Sequence, residues 1–228
     1  RSRSYVKKSI EIEDSDRKVL FAEREDPQVA AYSLKKIYGG LLDKITKAFD
    51  KKKPLLRLPV YSLYDKDPDT EEFIYFIGDP NEDPDFEMKR GRQVQIVALI
   101  RVLLLKRLES SVVSFKETCE NLILKLYSFI DQNDNRAAVR WRNQHEDMLN
   151  KIVDSREIDW DEDEEDDIVP AELKFDWVEL NSDLFDISRL VMDTILDLDQ
   201  LIDFLEEIED FDTSKDDKVN KLIDLLRT

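Results

Sequence analysis

The residues with the strongest claim to chemistry are a run of acids, one histidine and one cysteine. Asp159, Asp161 and Asp163 carry the first three spacings of a calcium loop, in which carboxylates two apart converge on one cation. The glycine needed at the sixth position is Glu164 and the glutamate needed at the twelfth is Pro170, so weak, nonspecific divalent binding is the most this run predicts. DEDE (161–164) has the acidity of the magnesium-binding motif of ATPases, but that motif follows a buried apolar strand, and Ser155–Trp160 is not one. A phosphate-binding loop needs closely spaced glycines and a Lys-Ser/Thr pair, because backbone amides must cradle the phosphates. The four glycines of the chain are not spaced that way. His145 is the only histidine, which excludes a His-rich zinc site, and it reads as an exposed helix residue. Cys119 is the only cysteine and falls on an apolar stripe, where it reads as core filler. No catalytic centre, cofactor site or metal site is expected.

Composition says what must position these side chains. The 228 residues suffice for a sizeable core, and 39% charged with 41% hydrophobic residues, four glycines and seven prolines favour helices. The expected fold is mainly α, a multi-helix antiparallel bundle with a few short extended segments. One cysteine cannot close an internal disulfide, so a reducing, cytoplasmic setting is expected. The longest apolar run, 96–105, is broken by Arg101 and too short to span a bilayer, so no membrane contact is expected. The chain opens with Arg1 rather than Met, so it is expected to be cut from something longer. The net charge of −18 is unevenly held: residues 154–212 carry 24 acidic and 3 basic side chains, and the remainder 29 acidic and 32 basic. A protein partner could therefore dock on the acidic region, while the basic clusters elsewhere leave room for nucleic acid.

Three regions are expected: 1–88, with short extended segments and a first helix; 89–212, a long-helix bundle with an acidic loop at 155–167; and 213–228, a closing helix. The first helix starts with Asp26 as N-cap and Pro27 at its first position, and Gly39–Gly40 mark close packing or a kink. Residues 54–88 read as irregular or short strands. One helix should then run from about Lys89 to about Ile130. Its stripe is Val97, Leu104, Leu108, Val112, Phe115, Cys119, Leu122 and Leu126, at steps of 7, 4, 4, 3, 4, 3 and 4. Leu99, Val102, Leu103 and Leu105 lie off that stripe, so this part is buried on several sides or awaits a partner. Ser111, at the stripe edge, is small enough to let another backbone approach. A helix from about Arg136 to Val153 should pair back antiparallel after the DQNDN turn. The helix over 182–210 has an acidic outer face, with Ser182 as its cap.

RSRSYVKK, KVLFAEREDPQVAAYSL, LLLKRLESSVVSF and DDKVNKLIDLL, in that order, resemble a stretch of Swi/Snf-like superfamily-two helicases. Phe21, Arg24, Val29, Tyr32, Ser33 and Leu34 match the helix start that follows that family's first motor lobe. Lys106, Arg107, Leu108, Glu109, Ser110 and Ser111 carry the most specific match, and Asp216, Lys218, Leu222, Leu225 and Leu226 match the helix before the second lobe. The resemblance implies a non-catalytic helical segment between two motor lobes of a DNA-dependent ATPase or helicase. The flanking lobes of the same chain would be its partners, with ATP and magnesium bound there. It also implies DNA near the segment, for which the cations Lys89, Arg90, Arg92, Lys106 and Arg107 are the phosphate-contact candidates. Ser110 and Ser111, with Lys106 and Arg107, would face a lobe. The rival expectation is an acidic helical interaction module or DNA mimic.

Overall fold

The computed structural model describes residues 34–50, 54–154, 180–209 and 217–227. The chain divides into two compact units, Ser33–Asp217 and a second formed by Arg1–Tyr32 with Lys218–Thr228. In the second unit the helix Asp217–Arg227 (α7 below) is the described element, with Leu222 and Ile223 on its exposed side. The expected Asp26 cap, the acidic loop and the matched residues Phe21 to Ser33 and Asp216 lie outside the described residues.

The larger unit is a mainly α bundle with no strand among the described residues. Its helices are α1 (Leu34–Ala48), α2 (Phe86–Ser110), α3 (Val112–Asn133), α4 (Asn135–Gln144), α5 (Glu146–Asp154) and α6 (Ile187–Glu209). No helix among the described residues is long and apolar enough to cross a membrane. α3 is the hub, packing on α2, α4 and α6, while α1 packs on α6. The predicted stripe is buried at every position, from Val97 and Leu104 on α2 to Leu122 and Leu126 on α3. Tyr127 and Trp141 lie seven residues either side of Asp134 and their rings meet at 6.0 Å, so α4 doubles back along α3 as expected.

Three expected helices are divided or shortened, each for a local reason. The expected 89–130 helix breaks at Ser111, whose backbone is extended (φ −162°, ψ 139°), giving α2 and α3. The 136–153 helix breaks at His145, giving α4 and α5. That histidine is not an exposed helix residue: it is half-buried, stacked 4.7 Å from Trp141, with Nε2 3.4 Å from Asp199. α6 begins at Ile187 rather than near Ser182, because Asp186 caps it, accepting the Arg189 N–H at 3.0 Å. In α1 the irregular residue is Tyr38 (φ −116°, ψ 23°), just before the glycine pair. Gly40 faces Glu207 of α6 so closely that a Cβ there would run into the carboxylate, and Lys44 pairs with the same Glu207 at 2.9 Å.

Residues 54–85 form no strands. Two single turns of 3-10 helix (Pro59–Tyr61 and Pro80–Glu82) and two isolated bridges, Lys66 to Phe73 and Phe76 to Phe185, organise them. Tyr64, Phe73, Phe76, Phe86 and Phe185 pack edge-on or tilted, with Tyr64 and Phe86 4.9 Å apart. Such ring pairs add to simple area burial, and here they fix the start of α2 against the loop.

Candidate nucleic-acid interface

Every basic candidate sits on α2 or its end, so the site begins with what holds that helix. Gln93, buried on its inner face, accepts the Tyr64 N–H at 3.1 Å. Arg101 falls on the apolar stripe, and its Nη2 donates to the Leu56 carbonyl at 2.7 Å. Burial lowers the Arg101 pKa, opposed by the nearby Asp197 and Asp65 carboxylates. Its Nε is buried without a hydrogen-bond partner. The stem covers core surface while the head ties α2 to the 54–58 segment, the usual behaviour of a long cationic side chain at a core margin.

The other wall of that segment is α6. Asp197, fully buried, accepts the Arg57 N–H at 2.8 Å on Oδ1 and the Leu58 N–H at 2.6 Å on Oδ2. Burial pushes its carboxyl up to about 7, against the pull of those two donors and of Arg101. Leu58 is held in the left-handed region (φ 60°, ψ 54°), a conformation a branched residue keeps only when its surroundings impose it. One turn earlier on α6, Asp193 accepts the Tyr75 hydroxyl at 2.8 Å and lies 3.5 Å from Arg57 Nη1. Burial, with the Asp193 charge second, raises the Tyr75 pKa. The acidic helix therefore turns two carboxylates inward, as acceptors for donors 140 residues (Arg57 to Asp197) and 118 residues (Tyr75 to Asp193) upstream.

The five predicted cations do not form one cluster. Lys89 donates to Asp83 at 2.6 Å, a bond that raises its pKa, and Arg90 holds Glu87 through Nε and Nη2 at 3.1 and 2.8 Å. Arg92 and Lys106 are exposed and, fourteen residues apart, stand about 21 Å from one another along the helix. Arg107 is half-buried in the last turn, where its carbonyl accepts the Ser111 N–H at 2.8 Å. Ser110 is exposed. Ser111 is a cap, its Oγ accepting the Val113 N–H at 3.2 Å, which replaces the expected role of small spacer. Sequence reasoning did not single out Arg136 and Arg140, which line a shallow depression at the start of α4 with Asp134, Asn135 and Val139. Their spacing of four was the available signal.

Cys119 is buried, and burial raises its thiol pKa, which suits a core filler and not a nucleophile. Among the described residues, no group of three His, Cys, Asp or Glu side chains is arranged to hold a metal ion. Asp159, Asp161 and Asp163 lie outside the described residues. The chain matches no known family model, no curated protein and no solved structure.

Proposed function

We propose that this chain is the non-catalytic helical segment between the two motor lobes of a Swi/Snf-like ATP-dependent translocase. There it couples ATP-driven lobe closure to movement along DNA, in a reducing, cytoplasmic setting. ATP and magnesium are handled by the lobes, outside this sequence. The observation that carries the reading is the disposition of the most specific matching block. Leu108 of LKRLESS is in the core, while Lys106, Glu109 and Ser110 are exposed at the end of a helix whose inner face is firmly anchored. The acidic-module reading draws less support, because two acids of α6, Asp193 and Asp197, face the core.

The test uses a full-length protein that carries this segment with its lobes. Lys106→Ala should lower DNA-stimulated ATPase there while leaving the melting temperature of the isolated chain nearly unchanged, since an exposed lysine contributes little to stability. Loss of melting temperature in the isolated chain, or full DNA stimulation in the parent, would remove the support that this block lends.

A further inference from the structure

The outward side of α2 carries an apolar pattern between two of the phosphate-contact candidates, Arg92 and Lys106. Met88, Arg92, Gln95, Leu99, Val102 and Lys106 follow one another at steps of 4, 3, 4, 3 and 4, the spacing of a coiled-coil seam. All six are exposed, Leu99 by 40% and Val102 by 46%, and Leu105 beside them by 41%. This seam runs opposite the buried stripe of Ile96, Ile100 and Leu104, so the core formed by the described residues does not claim it. Ala98 flanks it, and the space where a Cβ of Gly91 would stand is open, so a second helix could approach closely.

We infer that this face docks an amphipathic helix from a protein partner, apolar at the middle of its seam and acidic at both ends. Charge selects that occupant. The apolar centre is bracketed by Arg92, two seam steps before Leu99, and Lys106, one seam step after Val102. A second copy of α2 fits poorly: antiparallel pairing sets Arg92 against Lys106, and parallel pairing sets each cation against itself. A phosphate backbone would satisfy the two cations but leave Leu99, Val102 and Leu105 facing water or charge. Carboxylates spaced two heptads apart satisfy both ends while the middle is buried. The inference goes beyond the interlobe reading and holds whether or not the chain joins motor lobes.

The experiment titrates the whole chain into a fluorescent three-heptad peptide with leucine at its central seam positions and glutamate at the seam positions toward each end. Saturable binding is expected, weakened at least about tenfold by Val102→Asp. Val139→Asp, an equally exposed change on α4, should leave it intact. Arg92→Glu combined with Lys106→Glu should reverse the preference toward a peptide carrying lysine in place of glutamate. Circular dichroism and melting of each variant confirm that it is folded. No binding of the glutamate peptide, or equal binding by the Val102→Asp chain, overturns the inference. So does light scattering that shows wild-type dimers abolished by Val102→Asp, or duplex DNA binding in which the double glutamate change matters and the peptide does not compete.

Discussion

At the scale of single residues, Asp197 joins two distant parts of the fold, α6 and the 54–58 segment. Its carboxylate replaces the partners that two backbone N–H groups would otherwise find in a strand or in water, and it holds Leu58 in a left-handed conformation. Its folded pKa of about 7 lies above the ordinary 3.8, so the native state holds a proton that the unfolded chain has released. The sign follows directly: Asp197 contributes most below the ordinary value, and the contribution is lost as pH rises through about 7. Wild-type stability, measured by urea denaturation, should fall relative to Asp197→Asn between about pH 5 and about pH 7, by at most about 1.4 kcal/mol per pH unit. At low pH the asparagine variant should be less stable than wild type by about 1–3 kcal/mol, since its amide can accept only one of the two N–H bonds, and that deficit should shrink as pH rises toward about 7. Parallel pH profiles for the two proteins would mean that Asp197 is ionised throughout. Nothing local in the sequence marks this residue, because the amides it serves are so distant that it reads as one more acid on a solvated helix.

At the scale of elements, the apolar stripe was readable across the whole of α2 and α3, and the break between them was not. The reason is geometric. The extended residue at Ser111 lets the second helix start in phase, so the steps 104, 108, 112 and 115 pass through the break without a mark. Burial favours one long helix and one broken helix equally. The hydroxyl decides, by capping α3 where a non-polar residue would leave an amide unsatisfied. Ser111→Ala should cost about 1 kcal/mol, and Ser111→Asp should retain most of the cap. Ser111→Leu should be destabilising for the same reason rather than through overpacking, so its cost should resemble that of alanine. Denaturant midpoints of the three variants separate the accounts: a leucine variant far less stable than the alanine variant would restore the close-backbone explanation. The break at His145 and the start of α6 at Asp186 follow the same logic, in which one polar side chain sets an end that hydrophobic periodicity leaves open.

At the scale of the whole molecule, the excess of acid and the exposed cations of α2 act against each other. Sequence alone located the cations but not their pairing, because Lys89 reaches back to Asp83, which ends the 3-10 turn Pro80–Glu82, a placement that composition does not predict. Lys89 and Arg90 are held in local ion pairs, and Arg92 and Lys106 stand too far apart to act as a single patch. Any contact of the isolated chain with duplex DNA must therefore rest on few phosphates, and each phosphate contact adds roughly one unit to the salt dependence of binding. The net charge of −18 opposes it at long range. Residues 157–167 supply nine carboxylates and no base, so removing them leaves a chain of net charge −9. That deletion should strengthen DNA binding at low salt, with the gain shrinking toward physiological salt as the Debye length falls to about 8 Å. Fluorescence anisotropy of a labelled duplex across a salt series measures both effects. Equal or weaker binding by the deletion at low salt would show that the acidic run does not oppose DNA binding.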